Sequence, residues 1–419
     1  MAKFIIEGGY KLSGRIKVAG NKNAALPIIA ATVLTDETCC LYNVPEIKDV
    51  HIMLHILKDL GKQIEREGPN SYIVSGTVNK TRLNMELAGK LRASILFLSG
   101  LLARFGEAEF PPPGGCVIGR RNLDGHFTVV ENFGGEIEIK DDRFRAVSPK
   151  PRPASIFLLE ASVTATENAL LLAAAADGET VIENAASEPH IADLIDVLEK
   201  MGAQIEGRGS NFLRIKGQRS LHGFTHSVAA DHIEAGTFAI AAACTSSDLE
   251  ITGVNRDHLR VIVHYLKQMN VDVSYTDNTT LRVRPAQLSA RQKKIQTGLW
   301  PGFPTDLMSP MIVLATQARG MVLFQDWMYE SRMFFVDKLI VMGAEIIQCD
   351  PHRVVVSGPA RLRSQKLSSP DIRAGIALVI AALAAQGQSI IEHAELIDRG
   401  YEDIVQRFGA IGANISRNN

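Results

Sequence analysis

One cysteine stands in a segment whose composition favours a reactive thiol. The run from Glu109 to Arg121 is rich in proline and glycine, and it places Cys116 close to Arg120 and Arg121. Neighbouring positive charge lowers the pKa of a thiol and suits it to act as nucleophile or proton donor. The structural alternative is a loop cysteine without a chemical role, and the local sequence leaves it open.

A carboxylate stands in a comparably rigid turn. The run Trp300-Pro-Gly-Phe-Pro-Thr-Asp306 delivers Asp306 to the start of a predicted helix. A carboxylate fixed beside a substrate hydroxyl can act as a general base. The same position also suits simple compensation of the helix dipole, so the sequence keeps both interpretations.

Several polar residues lie where predicted loops enter helices. Lys22 follows Gly20 and Asn21 at a helix start, where free backbone N–H groups already favour an anion. Arg332 and Arg399 occupy similar junctions, a frequent geometry for binding phosphate or carboxylate. For each of these residues, an N-cap or a surface ion pair is the structural alternative.

His126 follows the cysteine segment and is a predicted substrate contact. The other histidines form no HExxH motif, and the five cysteines show no ligand spacing for zinc. No P-loop or GxGxxG lies between a strand and a helix, which argues against simple ATPase and dinucleotide-binding enzymes. The sequence therefore predicts neither a metal nor a cofactor.

The composition limits the classes of partner. Lys and Arg number 45 against 46 Asp and Glu, so no broad basic surface is expected for nucleic acid or an anionic membrane. The longest apolar stretches, near 24–34 and 374–385, are far short of the ~20 residues that cross a bilayer. With no signal-peptide pattern and an odd number of cysteines, we expect a cytoplasmic protein.

A short motif recurs six times at a period of about 70 residues. Each copy joins an amphipathic helix to a strand through a residue suited to the left-handed conformation. The six junctions are Leu60-Gly61, Phe133-Gly134, Met201-Gly202, Met269-Asn270, Met342-Gly343 and Ile411-Gly412. The sequence therefore predicts an α/β protein built from six copies of one βαβαββ unit.

Each copy also contains a second predicted helix that is apolar on nearly every face. Such a helix must be enclosed by other elements, and we call it the central helix. The polar residues at the six predicted starts are Asn23, Arg92, Thr164, Glu234, Asp306 and Arg373. Helix N-termini offer free N–H groups, so several that meet at one place would bind a strongly anionic ligand.

Six copies divide into two predicted domains of three. The predicted boundaries are 22–229 for a domain that carries Cys116, and 1–21 with 230–419 for a discontinuous domain. The strand at 11–18 is expected to pair with the last copy. That pairing would join the beginning of the chain to its end.

The combined motifs resemble the enolpyruvyl transferase family over essentially the whole chain. The motifs are the six copies, the Gly114-Gly115-Cys116 loop, Gly20-Asn-Lys-Asn-Ala-Ala25, Phe303-Pro-Thr-Asp306 and Asp398-Arg-Gly-Tyr401. The cysteine loop and this form of the aspartate turn are typical of members that use UDP-N-acetylglucosamine, and shikimate-pathway members lack them. The resemblance implies two inside-out α/β barrels with the active site between them.

The resemblance also implies roles for matching residues. Cys116 would donate a proton to phosphoenolpyruvate, and Asp306 would take one from the sugar 3-hydroxyl. The phosphate and carboxylate of phosphoenolpyruvate would bind Lys22, Arg121 and Arg399, with Arg92 close by. The other predicted substrate-binding residues, most of them implied at the nucleotide sugar, are Asn23, Asp124, His126, Ser162, Glu234, Met328 and Arg332.

The implied reaction is an addition followed by an elimination. The tetrahedral intermediate would carry phosphate and carboxylate, which cations fixed in place would stabilise with little reorganisation. Loss of phosphate then leaves the enolpyruvyl ether, without a metal or a redox cofactor. This would be the first committed step of peptidoglycan precursor synthesis, with consequences for cell shape and cell division.

Four positions depart from the family pattern and concern nucleotide binding. Glu160 and Thr164 stand where lysine and glycine are usual, Ser331 replaces an asparagine, and Arg120 adds a second arginine. These changes keep open another acceptor, such as shikimate 3-phosphate or an unusual nucleotide sugar. A protein that binds the nucleotide sugar without catalysis is the other alternative. The sequence predicts no oligomeric state.

Overall fold

The structure is a computed structural model that describes residues 2–112, 114, 123–140 and 142–418. These residues form two compact units. Unit I contains 2–19 and 230–418, and unit II contains the described residues between 20 and 229. Each unit has a hydrophobic core of its own.

Unit I contains twelve strands and six α-helices in its described part. The strands are β1 (Lys3–Gly8), β2 (Ser13–Lys17), β14 (Asp248–Thr252), β15 (Asp272–Tyr275), β16 (Thr280–Arg284), β17 (Lys294–Gln296), β18 (Gly320–Gln325), β19 (Glu345–Asp350), β20 (Arg353–Gly358), β21 (Lys366–Ser368), β22 (Gly387–Glu392) and β23 (Asn414–Asn418). The helices are α8 (His232–Cys244), α9 (Arg260–Gln268), α10 (Met308–Gln317), α11 (Val336–Val341), α12 (Ile372–Ala384) and α13 (Ile404–Ala410). Short 3₁₀ helices span Thr305–Leu307 and Ala394–Arg399.

Unit II contains eleven strands and seven α-helices among its described residues. The strands are β3 (Cys39–Tyr42), β4 (Gln63–Gly68), β5 (Ser71–Ser75), β6 (Glu107–Phe110), β7 (Glu136–Lys140), β8 (Arg143–Val147), β9 (Ser155–Phe157), β10 (Gly178–Glu183), β11 (Gln204–Glu206), β12 (Phe212–Gly217) and β13 (Thr225–Ser227). The helices are α1 (Lys22–Ala31), α2 (Lys48–Asp59), α3 (Met85–Gly89), α4 (Phe97–Phe105), α5 (Asp124–Asn132), α6 (Val163–Ala175) and α7 (Pro189–Lys200). Short 3₁₀ helices span Thr32–Leu34 and Arg92–Leu96.

The described strands form six sheets on one plan, three in each unit. In unit I the orders are β21-β22-β1-β23, β15-β16-β14-β2 and β17-β18-β20-β19. In unit II they are β11-β12-β10-β9, β13-β3-β5-β4 and the three-stranded β6-β8-β7. Five sheets combine one parallel pair with two antiparallel pairs. In the sixth, a single parallel bridge from Arg82 to Glu109 stands where the parallel strand would be. The predicted repeat and fold class are confirmed.

The central helices are enclosed within their own unit, as their composition predicts. In unit I, α8, α10 and α12 pack against one another and against the inner faces of the surrounding sheets. All thirteen residues of α8 are buried, and so are twelve of the thirteen in α12. A helix without a polar face leaves its first turn as the main place where polar side chains reach the surface.

The six predicted junctions adopt the expected backbone conformation. The second residue of each has a positive φ, from 60° at Asn270 to 113° at Gly61 and Gly202. Glycine and asparagine tolerate this region because the steric penalty that L side chains meet there is absent or offset. Each junction therefore ends a surface helix and sends the chain directly into a strand.

The predicted pairing of the strand at 11–18 is wrong. This segment forms β2, which pairs in parallel with β14 in the sheet β15-β16-β14-β2, with Ile16 opposite Ile251. The strand that completes the last sheet is β1, which pairs with β22 and β23. β1 buries both Phe4 and Ile6, whereas β2 buries Ile16 alone and serves as an edge strand.

The four described cysteines differ in their burial. Cys39 and Cys244 are, and burial raises the pKa of the Cys39 thiol to about 11. Cys40 is half-buried and Cys349 is exposed, because strand alternation in β19 places Cys349 on the outward face. No helix in the described part of the chain combines the length and apolar character that a bilayer crossing requires.

A glycine allows the closest approach between strand and central helix in unit II. A Cβ at Gly217, where β12 ends, would lie 2.0 Å from the carbonyl oxygen of Ala173 and 2.4 Å from that of Ala176. Gly8 and Gly358 approach the ends of α12 and α10 in the same way in unit I. In three of the copies, a glycine therefore allows a strand to approach the carbonyl oxygens at the end of a central helix, which no larger residue would permit.

We expect Gly217→Ala to lower the free energy of unfolding by roughly 1–3 kcal/mol, because the added methyl overlaps fixed backbone oxygens. Gly409→Ala is the matched control, since α13 leaves open space there and alanine favours a helix. Urea unfolding followed by circular dichroism measures both. Equal stability of the two variants would contradict the close approach.

Candidate active site

Asp306 lies in the 3₁₀ helix that leads into α10, at the predicted central-helix start. Its carboxylate accepts a hydrogen bond from Nη2 of Arg373 at 2.7 Å, and Nη2 of Arg332 lies 3.4 Å away. The Asp306 side chain is 24% exposed, whereas those of Arg332 and Arg373 are 2% and 7% exposed. Two buried cations therefore hold one accessible carboxylate.

Arg373 is anchored on a second side by the aromatic hydroxyl of Tyr401. Its Nη1 donates to that hydroxyl at 3.2 Å, and the hydroxyl also contacts Thr237 of α8 at 3.0 Å. Burial disfavours the charged guanidinium, but the nearby Asp306 carboxylate outweighs this and raises the pKa of Arg373. Arg373 is thus a permanent cation at the start of α12.

His232 opens α8 as a buried, neutral imidazole. Its ring packs edge-on against the rings of His258 and Trp300, with centroids 6.2 and 6.0 Å apart. Burial, and then the neighbouring His258, lower the pKa of His232 to about 3, although Asp306 opposes the change. The start of α8 therefore adds no positive charge beside Asp306 at neutral pH.

Glu234 has protein partners for both of its carboxylate oxygens. Its Oε2 accepts hydrogen bonds from the Ala19 backbone N–H at 2.7 Å and from Nη2 of Arg407 at 3.0 Å, and its Oε1 is bound by Nη1 of Arg407. Burial raises the pKa of Glu234, and Arg407 opposes that shift. The contact of Glu234 with a nucleotide sugar stays a prediction.

Two other predicted residues of unit I lie in short turns. Arg399 is half-buried and ends a 3₁₀ helix instead of preceding a helix, and the adjacent Asp398 is paired with Arg417 at 2.8 Å. The backbone N–H of Met328 donates to Asp326 at 3.0 Å, so this residue belongs to a fixed turn after β18. Their substrate contacts stay predictions.

In unit II, Lys22 begins α1 and is paired with a carboxylate that the sequence did not single out. Its Nζ lies 2.8 Å from Oδ2 of Asp49, whose side chain is 1% exposed. Asn21 caps α1 by accepting from the N–H of Ala24 at 3.1 Å, so the predicted start Asn23 lies inside the helix. Asp49 orients the Lys22 ammonium and balances part of its charge.

Three further predicted residues of unit II mark helix starts. Arg92 begins the 3₁₀ helix before α4 and is half-buried, and Asp124 begins α5 and is exposed. Ser162 caps α6 through a contact of 3.4 Å with the N–H of Ala165. Their substrate contacts stay predictions. Cys116, Arg120 and Arg121 lie outside the described residues.

His126 is buried and held by a chain of hydrogen bonds. The carbonyl oxygen of Ile95 accepts from the Asn168 amide nitrogen at 3.2 Å, which fixes the orientation of that amide. The same nitrogen lies 2.7 Å from Nδ1 of His126, so the ring proton belongs on Nε2, which faces the Thr164 hydroxyl at 3.2 Å. His126 therefore contacts protein through both ring nitrogens, and its substrate contact stays a prediction.

The structure thus brings Asp306 and Arg332 together, and it adds residues that the predicted site did not contain. The sequence did indicate Arg373, because it is a charged residue at the start of a predicted apolar helix. The sequence did not mark Asp49 or His232 as site residues, because an acidic residue in a first helical turn and a histidine beside an N-cap are common. Among the described residues, no cluster of three or more His, Cys, Asp or Glu side chains is placed to hold a metal ion.

Comparison with known proteins bears on the whole chain. A family profile described as EPSP synthase (3-phosphoshikimate 1-carboxyvinyltransferase) matches residues 6–408. Curated relatives named UDP-N-acetylglucosamine 1-carboxyvinyltransferase include one from Treponema denticola, 48% identical over 99% of both chains. Another, from Borreliella burgdorferi, is 46% identical over 100% of this chain and 99% of its own.

The chain belongs to the UDP-N-acetylglucosamine 1-carboxyvinyltransferase family. This confirms the predicted resemblance and makes the protein a transferase of the enolpyruvyl type. The family profile carries the name of the shikimate branch, but full-length identity of 42–48% to curated members of this family is the more specific finding.

Solved structures agree on the fold of this family. The enolpyruvyl transferase NikO from Streptomyces tendae matches 100% of this chain and 99% of its own with a TM-score of 0.91 at 23% identity. An EPSP synthase from Acinetobacter baumannii matches all of both chains with a TM-score of 0.79 at 17% identity. At these identities the likeness concerns the fold alone, and it confirms the predicted enolpyruvyl transferase fold.

The neutral state of His232 predicts a pH dependence of stability. Below pH 6.5, the ordinary pKa of histidine, the unfolded chain binds a proton at this position that the folded chain does not bind. The free energy of unfolding therefore decreases as the pH falls from 6.5 toward about 3. In His232→Leu we expect a shallower decrease, measured by urea unfolding at a series of pH values.

The exposed His264 supplies the matched control. We expect His264→Gln to follow the wild-type dependence, so that the difference between the two variants isolates the buried imidazole. A His232→Leu curve parallel to the wild-type curve across this range would contradict the assignment.

Proposed function

We propose that this protein transfers the enolpyruvyl group of phosphoenolpyruvate to the 3-hydroxyl of UDP-N-acetylglucosamine and releases phosphate. The observation that carries the proposal is the full-length similarity, up to 48% identity, to curated relatives that bear the corresponding name. The charged helix starts of unit I add chemical support. They offer a carboxylate and cations, which are the types of group that the reaction needs as a base and for anion binding.

In this proposal Asp306 takes the proton from the acceptor hydroxyl. Its carboxylate is partly exposed, and Arg373 and Arg332 hold it in one orientation. A general base has to lie within hydrogen-bond distance of the proton that it abstracts, so a fixed orientation contributes directly to the rate. His232 stays neutral nearby, so among the described residues Arg373 and Arg332 are the cations placed at this carboxylate.

Four cationic side chains are proposed to bind the anionic groups of phosphoenolpyruvate. Lys22 is held by Asp49 in unit II, and Arg399 lies at the end of a 3₁₀ helix in unit I. Positive groups already fixed in place stabilise a tetrahedral intermediate with phosphate and carboxylate without reorganising. Arg92 and Arg121 complete this proposed set, and Cys116 is the proposed proton donor to the methylene carbon.

The proposed nucleotide-sugar contacts are those that the family resemblance implies. They are Asn23, Asp124, Glu234, Asp306 and a residue near Met328. His126, Ser162 and Arg332 are further proposed substrate contacts. Among them Glu234 and His126 have protein partners for their polar atoms, so we expect them to act mainly by shaping the site. Ser162 and Asp124 lie at helix starts, where backbone N–H groups favour phosphate oxygens.

We also propose that this reaction is the first committed step of peptidoglycan precursor synthesis. Through the cell wall, it would affect cell shape and cell division. A cytoplasmic location is part of the proposal. Its support is that the four described cysteines, Cys39, Cys40, Cys244 and Cys349, are free thiols, as is usual in a reducing compartment.

Transfer to shikimate 3-phosphate is the second candidate, since the matching family profile is described by that reaction. The proposal predicts phosphate release from phosphoenolpyruvate with UDP-N-acetylglucosamine and none above background with shikimate 3-phosphate. A continuous phosphate assay measures both reactions with the same enzyme preparation. Release with shikimate 3-phosphate alone would contradict the proposed acceptor, and tight nucleotide-sugar binding without any release would favour a non-catalytic protein.

A further inference from the structure

Asp326 is a fully buried carboxylate directly after β18. Its Oδ1 accepts hydrogen bonds from the N–H groups of Met328 at 3.0 Å and Tyr329 at 3.3 Å, and its Oδ2 accepts one from the Thr305 hydroxyl at 2.5 Å. Its backbone N–H and carbonyl are bonded to His352 at 2.9 and 2.7 Å. A buried carboxyl group with this many hydrogen bonds is fixed in place.

Thr305 connects this fixed carboxylate to Asp306, its neighbour in the chain. The 3₁₀ helix Thr305–Leu307 begins after Pro304 and has no side-chain cap. Among the described residues, the Thr305 hydroxyl has one hydrogen-bond partner, Oδ2 of Asp326. That bond therefore ties the backbone of the Asp306 turn to the end of β18.

Arg332 provides a second connection between the same two carboxylates. Its Nη2 lies 3.4 Å from Oδ1 of Asp306, and its Nε lies 3.9 Å from Oδ2 of Asp326. The side chain is 2% exposed, and its Nε and Nη1 have no hydrogen-bond partner among the described residues. Coulomb attraction in this buried setting holds the guanidinium among Asp306, Asp326 and Asp371, whose Oδ1 lies 4.0 Å from Nη1.

We propose that Asp326 is a positioning residue that fixes the Asp306 carboxylate through Thr305 and Arg332. The inference rests on the proposed function, in which Asp306 takes a proton from the acceptor. Asp326 itself touches no substrate in this scheme. Because a displacement of about 1 Å at a catalytic group costs on the order of 10²-fold in rate, the anchor acts on turnover more than on binding.

Thr305→Val tests the proposal, because it keeps the shape of the side chain and removes the donor to Asp326. We expect the kcat for phosphate release to fall about 10- to 100-fold, with KM for each substrate changed less than about threefold. Thr305→Ser, which keeps the hydroxyl, is expected to retain kcat within about threefold of the wild-type value.

Thr297→Val is the matched control. Thr297 is buried, whereas Thr305 is half-buried. The Thr297 hydroxyl faces the other oxygen of Asp326 at 3.4 Å, and Thr297 lies outside the 3₁₀ helix that contains Asp306. We expect its kcat to equal that of the wild type. A wild-type kcat in Thr305→Val, or equal losses in Thr305→Val and Thr297→Val, would overturn the proposal.

Hydrogen–deuterium exchange separates this inference from the proposed function. If the wild-type protein releases no phosphate, the proposed function fails, and exchange in peptides that cover 303–308 still decides the anchoring. Faster exchange there in Thr305→Val than in Thr297→Val supports the positioning role of Asp326. Equal exchange in both variants contradicts it.

Discussion

The enclosure of the central helices is the constraint on which the rest of this structure depends. A helix buried on every side, such as α8 or α12, has no polar face, so its charged residues collect in the first turn. In unit I this places His232, Asp306 and Arg373 at three helix starts within the same domain core. The same packing that stabilises the unit therefore also brings together the ionisable side chains of the candidate site.

Burial then determines what each of these groups does. His232 is neutral because burial disfavours its charged form, whereas Arg373 keeps its charge because Asp306 lies within hydrogen-bond distance. Asp306 stays partly exposed and so remains able to meet a substrate hydroxyl. A site built this way is charged locally while the chain as a whole is nearly neutral, with 45 basic and 46 acidic residues.

The repeat could be predicted from the sequence because each copy contains two strong local signals, a left-handed junction and an apolar helix with a polar start. Asp306 was predictable for the same reason. Asp49 and Asp326 were not, because their importance lies in tertiary partners, Lys22 in one case and Thr305 in the other. The pairing of the strand at 11–18 was predicted wrongly because sequence order does not determine which sheet an edge strand joins.

The proposed function depends above all on one role, the removal of the acceptor proton by Asp306, which Arg332 and Arg373 hold in place. Kinetics of Asp306→Asn test it most directly, with phosphate release and calorimetric binding of UDP-N-acetylglucosamine measured on the same preparation. We expect a kcat at least about 10²-fold below the wild-type value and a Kd within about fivefold, since the amide keeps the shape and loses the base. A variant that turns over at the wild-type rate would contradict it.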